Sequence, residues 1–232
     1  MNALLEPFAM TVSRRHFTLC SAALLVQART GAALAADPAS AVDFFRAVGT
    51  DNAWGAKREL ERGLSPNTLN EQGQHALFLA IRDDSPRIQD LLWTWPGIDL
   101  NLPNKAGETP LMIAALRGHV AVMKKLLASG VPPHKSGWAP VHYAATGPAV
   151  ETVALLLELG VPIDAPSPNG STPLMMAARY GAEASVELLV AKGADLKRRN
   201  DKQMSPLEFA KGADRDWMVR KIESLQAKAA GG

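Results

Sequence analysis

Four short segments of this chain can be laid one under another: Thr109-Pro110-Leu111-Met112, Ala139-Pro140-Val141-His142, Thr172-Pro173-Leu174-Met175 and Ser205-Pro206-Leu207-Glu208. Their prolines stand 30, 33 and 33 positions apart, and a degenerate fifth copy, His75-Ala76-Leu77-Phe78, places Ala76 34 positions before Pro110. A fixed period of this length means one supersecondary unit stacked several times, which rules out most folds at once. The rest of each unit repeats as well. Two residues before the Thr or its substitute stand Gly73, Gly107, Gly137 and Gly170, with Gln203 in the last copy. A short Ala-rich stretch follows the Pro-Leu pair: Ile113-Ala114-Ala115, Tyr143-Ala144-Ala145 and Met176-Ala177-Ala178. Gly118 and Gly181 are expected to end that first helix in a left-handed conformation. A second stretch is apolar at helical spacing (Val122, Leu126, Leu127; Val153, Leu156, Leu157; Val186, Leu189, Val190) and stops at Gly130, Gly160 or Gly193.

With its T-P-L-H-like core and this period, the pattern resembles the ankyrin repeat over roughly residues 40 to 225. The resemblance implies an all-α solenoid of helix-turn-helix units with hairpin tips, about six including both caps: 40–70, 71–103, 104–134, 135–165, 166–198 and 199–225. The physics agrees. Pro in the first helical turn loses nothing, because its missing N–H has no partner there. The Thr hydroxyl before it can cap the turn. Small Ala side chains let first helices approach, and the Leu pairs of second helices fill the space between units. One unit cannot bury its apolar face alone, so the stack is the folding unit. Ala41 to Ala47, then Ala56, Leu60 and Gly63, read as the two helices of the amino-terminal cap. Leu207, Phe209, Ala210, Trp217, Met218, Ile222 and Leu225 read as the apolar face of the carboxy-terminal cap, Lys211, Arg215, Arg220 and Lys221 as its wet face, and Ala227 to Gly232 as a frayed tail.

Residues 1–35 carry a different message. Ser13-Arg14-Arg15-His16-Phe17 resembles the twin-arginine export signal, an apolar run continues from Phe17 to Val26, and Ala33-Leu34-Ala35 supplies small residues for cleavage near Ala35/Ala36. Thr18 and Leu19 depart from the residues that signal prefers, so an ordinary secretory signal and an uncleaved anchor remain alternatives. The run is shorter than the ~20 residues a spanning helix needs. Met10 is an alternative start codon to Met1. The expectation is a signal at 1–35, a single repeat domain at 36–232, and a periplasmic or secreted bacterial protein. The only cysteine, Cys20, lies in the presumed signal, so the mature chain has no disulfide, thiolate nucleophile or cysteine metal site.

Loss of residues 1–35 removes Arg14, Arg15, Arg29 and Glu6, which takes the formal charge from +2 to 0. A neutral exported chain without a basic stripe is a poor nucleic-acid binder. Lys192, Lys197, Arg198, Arg199 and Lys202 cluster near the last hairpin, as a solvated cap or as a dock for an acidic partner. No nucleophile elbow, phosphate loop or dinucleotide fingerprint is present. His119, His134 and His142 show no metal-ligand spacing, and the resemblance gives His142 a backbone-bonding role between units. Asp83-Asp84 reads as a solvated turn. No enzyme activity, cofactor or metal is expected.

What remains is a binding surface. In ankyrin proteins partners meet the concave side, made of hairpin tips and the exposed face of first helices. The resemblance maps one tip position onto Gln74, Glu108, Trp138 and Ser171, and two helix-end positions onto Arg82 and Asp83, Leu116 and Arg117, and Arg179 and Tyr180. Trp138, Arg117, Arg179, Tyr180, Glu108 and Arg82 are the expected partner-binding residues, since Trp, Tyr and Arg dominate binding energy at interfaces. Trp138 has an alternative as packing for its own shortened hairpin. Trp93, Trp95 and Pro96 read as a patch over a local irregularity, and Met112, Met175 and Met176 as core filling. The expected function is a monomeric, non-catalytic adaptor or stabiliser of an envelope protein; the alternative is a specific inhibitor or immunity protein.

Overall fold

The computed structural model describes residues 38–230. The export signal expected at 1–35 lies outside them. Among the described residues twelve helices form six antiparallel pairs: α1 (Pro38–Gly49) with α2 (Ala53–Glu61), α3 (Ala76–Arg82) with α4 (Pro86–Trp93), α5 (Pro110–Arg117) with α6 (Val120–Ala128), α7 (Pro140–Thr146) with α8 (Val150–Glu158), α9 (Pro173–Tyr180) with α10 (Glu183–Ala191), and α11 (Pro206–Lys211) with α12 (Asp216–Ala230). Among the described residues the only extended pairing is one isolated bridge, Leu69 to His75. The fold is the all-α solenoid the repeat implies.

First helices stack in one row from α1 through α11, and second helices form an outer row. Between the rows runs one continuous core. Ala80, Ala114, Ala144 and Ala177 are fully buried, so the first helices approach without side chains to hold them apart. Leu126, Leu156 and Leu189 are fully buried, while Leu127, Leu157 and Val190 pack at the margin. Each such aliphatic burial is worth about 1.5–3 kcal/mol.

Local rules set the helix starts. Pro110 and Pro173 open their helices, and the Thr109 and Thr172 hydroxyls accept from Met112 N and Met175 N at 3.4 and 3.3 Å. At the tips, Gly73, Gly107, Gly137 and Gly170 all have φ between 72° and 78°, and Gln203 takes the same left-handed turn at 59°. That region costs an L-residue with a Cβ energy, which is why four of five are glycine.

Four expectations need correction. Gly118 ends α5 left-handed at φ 77°, but Gly181 ends α9 extended, at φ −82° and ψ −177°. Glycine is needed there for space: a Cβ would run into the Ala145 carbonyl oxygen of the preceding unit. Gly147 is the same case, with a Cβ 2.6 Å from the Leu116 carbonyl oxygen. Arg215 is half-buried, not a wet-face residue. Its guanidinium donates to the carbonyls of Ala177, Ala178 and Gly181 at 3.1, 3.0 and 2.7 Å, capping the carbonyl end of α9. Trp217 leaves the apolar face: it is 44% exposed, beneath the Arg215 guanidinium at 4.5 Å. The expected frayed tail is helical as far as Ala230.

The caps close the stack by different means. In the amino-terminal cap, Glu59 is fully buried and accepts from Ser40 Oγ at 2.8 Å, Arg58 Nε at 2.9 Å and Arg62 Nη1 at 3.1 Å. In the carboxy-terminal cap, Lys221 of α12 pairs with Glu183 and Glu187 of α10. Trp93 lies under the Lys125 ammonium at 4.2 Å, and both Trp93 and Trp95 pack on the core, as a patch would.

Candidate functional site

The inner face consists of the hairpin tips and the exposed side of the first helices. Three rows of side chains run across it from unit to unit. The tip row reads Gln74, Glu108, Trp138, Ser171, Met204. A middle row, one turn into each first helix, reads Leu79, Ile113, Tyr143, Met176, Phe209. A third row, a turn further on, reads Arg82, Leu116, Thr146, Arg179, Gly212. Residues three apart on a helix share a face, which is why these rows lie parallel.

The rows open a cleft in the middle of the face. It measures ≈ 260 Å³ and is lined by Leu116, Trp138, His142, Tyr143, Thr146 and Met176. Its walls come from three successive units. Trp138 is half-buried and stands edge-on to His142, ring centroids 5.3 Å apart. It therefore packs against its own unit with one side and lines the cleft with another. His142 fixes that wall. Its Nδ1 accepts from Ala139 N at 3.2 Å, which puts the ring proton on Nε2, facing the carbonyls of Ala165 at 2.9 Å and Ser171 at 3.2 Å. Burial pushes the His142 pKa down, so the ring stays neutral. This is the backbone role expected of it, and it leaves no nitrogen free for chemistry.

Tyr143 forms the opposite wall. Its hydroxyl donates to Glu108 Oε1 of the preceding unit at 3.0 Å, and burial followed by the Glu108 carboxylate pushes its pKa up. Glu108 Oε2 also accepts from Asn104 Nδ2 at 2.8 Å. Glu108, expected to meet a partner, is thus engaged within the protein. So is Arg82, whose guanidinium donates to both oxygens of Asp83 at 2.7 and 2.8 Å and to Gln74 Oε1 at 3.4 Å.

Arg117, Arg179 and Tyr180 keep their surface. Arg117 is exposed and follows Leu116 at the end of α5. Arg179 Nε donates to the Tyr180 hydroxyl at 2.7 Å, and Tyr180 is 56% exposed. Among the described residues neither Arg117 nor Arg179 has a carboxylate within salt-bridge distance. A second cleft of ≈ 410 Å³, lined by Thr146, Gly147, Pro148, Tyr180, Gly181 and Ala182, shares Thr146 with the first. Of the six expected residues, the inner face brings Trp138 to one cleft and Tyr180 to its neighbour; Arg117 follows the lining residue Leu116, and Arg179 is half-buried and bonded to Tyr180. It sets Glu108 behind Tyr143 and Arg82 a unit away. Tyr143, Thr146 and Met176 were not among the expected site residues. Met176 is half-buried in the cleft rather than core filling like the fully buried Met175. Their signal was the middle row itself, where only Tyr143 is aromatic with a polar end among aliphatic residues and Phe.

Among the described residues no cluster of His, Cys, Asp or Glu is arranged to hold a metal ion, and no helix is long and apolar enough to cross a membrane.

The family profile for "Ankyrin repeats (3 copies)" matches residues 44–133, 77–166, 123–200 and 149–221. The chain belongs to the ankyrin-repeat family. Ankyrin repeats bind other proteins and are generally non-catalytic. The chain is 33% identical over 174 residues to the mouse B-cell lymphoma 3 protein homolog, covering 72% of this chain and 38% of that protein. It is 31% identical over 140 residues to mouse NF-kappa-B inhibitor alpha, covering 55% of this chain and 45% of that one. It spans less than half the length of these ankyrin relatives. Among solved structures, the human ASB11 ankyrin repeat domain superposes with a TM-score of 0.62 at 30% identity, over 77% of this chain and 81% of that one. A chain in the complex of the predatory endopeptidase Bd0816 from Bdellovibrio bacteriovorus with the immunity protein Bd3460 superposes with a TM-score of 0.64 at 24% identity. That match covers 78% of this chain and 97% of the other, and is a likeness of fold.

Proposed function

We propose that this ankyrin-repeat protein is exported to the bacterial periplasm, where it acts without catalysis as an adaptor or stabiliser that binds an envelope protein through its inner face. The observation that carries the binding site is the central cleft, where Trp138, Tyr143, Leu116 and Met176 from three successive units leave apolar surface open, with Arg117 next after Leu116 and Arg179 one turn beyond Met176. Aromatic and guanidinium groups around a concave apolar centre are the chemistry of energetic centres in protein interfaces. The export part of the proposal rests on Ser13-Arg14-Arg15-His16-Phe17 and Ala33-Leu34-Ala35.

Two experiments test it. Replacing Arg14 and Arg15 together with Lys should strand the precursor in the cytoplasm, and mature protein should begin at or near Ala36. Unchanged periplasmic protein in the double variant removes the twin-arginine route. Affinity capture from periplasmic extract with the mature protein should retain a partner that a Trp138→Ala, Tyr143→Ala variant releases. Equal capture by both places the site elsewhere, with the basic Lys197, Arg198, Arg199 and Lys202 end as the next surface to test.

A second reading is a specific inhibitor or immunity protein. It is motivated by the chain of matching fold in a complex of an endopeptidase with an immunity protein. The readings separate on the captured partner's activity: an inhibitor abolishes it in a one-to-one complex, whereas a stabiliser leaves it intact.

A further inference from the structure

The central cleft and its surroundings specify the chemistry of what enters. We infer that the cleft takes a bulky apolar side chain from a partner-protein segment that also carries a carboxylate, the carboxylate lying toward the ends of α5 and α9. This rests on the inner-face binding site proposed above and names its ligand class.

The apolar half of the inference comes from the walls. Leu116, Trp138, Tyr143 and Met176 enclose space for one large side chain, and the polar groups on those walls are already occupied. The Tyr143 hydroxyl is spent on Glu108, and both His142 nitrogens are spent on backbone groups. A polar group entering the cleft loses its water and finds no partner, which is costly. An apolar group loses nothing.

The acidic half comes from charge. Four charged side chains of the inner face stand beside the cleft or in the unit next to it, and Asp83 is paired with one of them. Glu108, on the tip side, already accepts from Tyr143 and Asn104. Arg82, beyond Leu116 in the third row, is neutralised by Asp83. Arg117 and Arg179, on the helix-end side, have no carboxylate within salt-bridge distance among the described residues, although Arg117 is near enough to Asp83 to add to the lowering of its pKa. Arg117 adjoins the wall residue Leu116, and Arg179 stands one turn beyond the wall residue Met176. A cation in the last turn of a helix also complements the helix dipole, so position alone would not single these two out. What does so is that both follow residues lining the same apolar cleft and have no carboxylate within salt-bridge distance, whereas Glu108 and Arg82 are engaged within the protein. A guanidinium engages a carboxylate through paired N–H donors, which adds direction to the contact. The unpaired charge on this face is thus cationic: Arg117 and Arg179 at the helix ends, and at the tips Lys105 and Lys135, whose ammonium groups donate only to the Glu71 and Gly107 carbonyls.

The test uses the full chain and three blocked pentapeptides: acetyl-Ala-Phe-Glu-Glu-Ala-amide, its Lys-Lys counterpart, and an Ala-for-Phe control that keeps the two Glu. Binding is read from the indole N–H resonance of Trp138, assigned with Trp138→Phe. The Phe-Glu-Glu peptide should shift it saturably with a Kd at or below about 1 mM and bind at least about tenfold more tightly than either other peptide. An Arg117→Ala, Arg179→Ala variant should lose that preference for the acidic peptide with an unchanged melting curve. Equal binding of the Glu and Lys peptides, or no saturable shift up to several times that concentration, overturns the inference. If a captured partner still depends on Trp138 when the acidic peptide fails, the inner-face reading stands and only the ligand chemistry falls.

Discussion

The hairpin tips of the third and fourth units have the same length but not the same construction. In the third, Asn104 Oδ1 accepts from Ala106 N at 2.9 Å and Glu108 N at 3.0 Å, and Asn104 N donates to the Glu108 carbonyl at 2.8 Å. Ser167 and Asn200 play the same part in the fifth and sixth units. In the fourth unit His134 takes that place, exposed to solvent, and no backbone pair crosses the tip. The loop leading in is also short: Val131 reaches His134 in three residues, where Val161 reaches Ser167 in six. Beneath both tips the core is the same. The bracketed tips present Glu108 or Ser171, held within the protein; the unbracketed one presents Trp138 over an open cleft. The stack demands regularity of its core, and a unit is free to vary where only water or a partner is adjacent.

The sharpest way to break this comparison is to attack the part held in common. Leu126 and Leu156 are fully buried at equivalent places under the third and fourth units. Either change to Ala should cost about 2–5 kcal/mol in chemical denaturation. The two costs should agree within the ordinary spread for such truncations. A loss under about 1 kcal/mol at Leu156 alone would mean the irregularity of the fourth unit reaches into its core.

The next effect concerns the two buried histidines. His142, under the fourth tip, is bonded at both nitrogens, whereas His75, in the second unit, is fully buried with neither nitrogen bonded to another protein group. Burial pushes the His75 pKa down to about 4, against weaker pulls from the Leu102 backbone, which approaches the ring without reaching hydrogen-bond geometry, and from Asp99. The unfolded chain therefore binds the extra proton first as pH falls from about 6.5 to about 4, and the folded state loses stability across that window. At about 1.4 kcal/mol per pH unit the full loss is about 3 kcal/mol. Above pH 6.5 this contribution is fully present. His75→Thr installs the residue found at the same place in Thr109 and Thr172, and should flatten most of the acid-side slope in a series of melts. A slope that persists would move the burden to His142.

Trp138 gives a smaller and divided effect. Its edge contact with His142 is worth about 0.5–1.5 kcal/mol beyond area burial, so Trp138→Ala should lower stability by about 1 kcal/mol. Affinity for the captured partner should fall by more than about 1 kcal/mol if Trp138 is an energetic centre. Glu108→Ala, at the bracketed tip, should lower affinity less, because Glu108 already faces inward. Calorimetric titration and melting curves on both variants decide this. Lost stability with full affinity would assign Trp138 to its own hairpin alone.

The core was legible in the sequence because every unit restates it: Leu126, Leu156 and Leu189 predict one another. The caps were less so, since each occurs once. Arg215 looked like a surface charge because its three carbonyl partners lie 34 or more residues earlier, at the end of α9. Gly181 was placed at the right boundary for the wrong reason, as a close approach between units leaves no trace in local turn chemistry. At the candidate site, the tip and helix-end rows could be aligned, so Trp138, Arg117 and Arg179 could be expected on the inner face. What could not be read was which side chains were already spoken for. Glu108 and Arg82 are spent on Tyr143 and Asp83, and the first of those bonds crosses between units. Tyr143 was passed over because its row reads as core in the units where Leu79, Ile113 and Phe209 occupy it.

The smallest change sharpens the comparison most. His134→Asn would restore to the fourth tip the side chain that brackets the third, with its oxygen aimed at the N–H groups of Ser136 and Trp138. Gly137 already has the left-handed φ of 76° that the bracketed tips share, so the backbone needs no new turn. A net hydrogen bond is worth about 0.5–1.5 kcal/mol, and with one or two formed at an exposed tip the gain should be about 0.5–1 kcal/mol in a melting series. The same titrations that compare Trp138→Ala should be run on this variant. If Trp138 is held more firmly in its cleft-lining position, affinity should rise slightly with stability, since less ordering remains to be done on binding. No gain in stability would show that the three-residue approach from Val131, rather than the residue at 134, keeps the tip open. In that case the open cleft is a property of loop length, and inserting three residues ahead of His134, to match the Val161 to Ser167 loop, should be what closes the gap between the two tips.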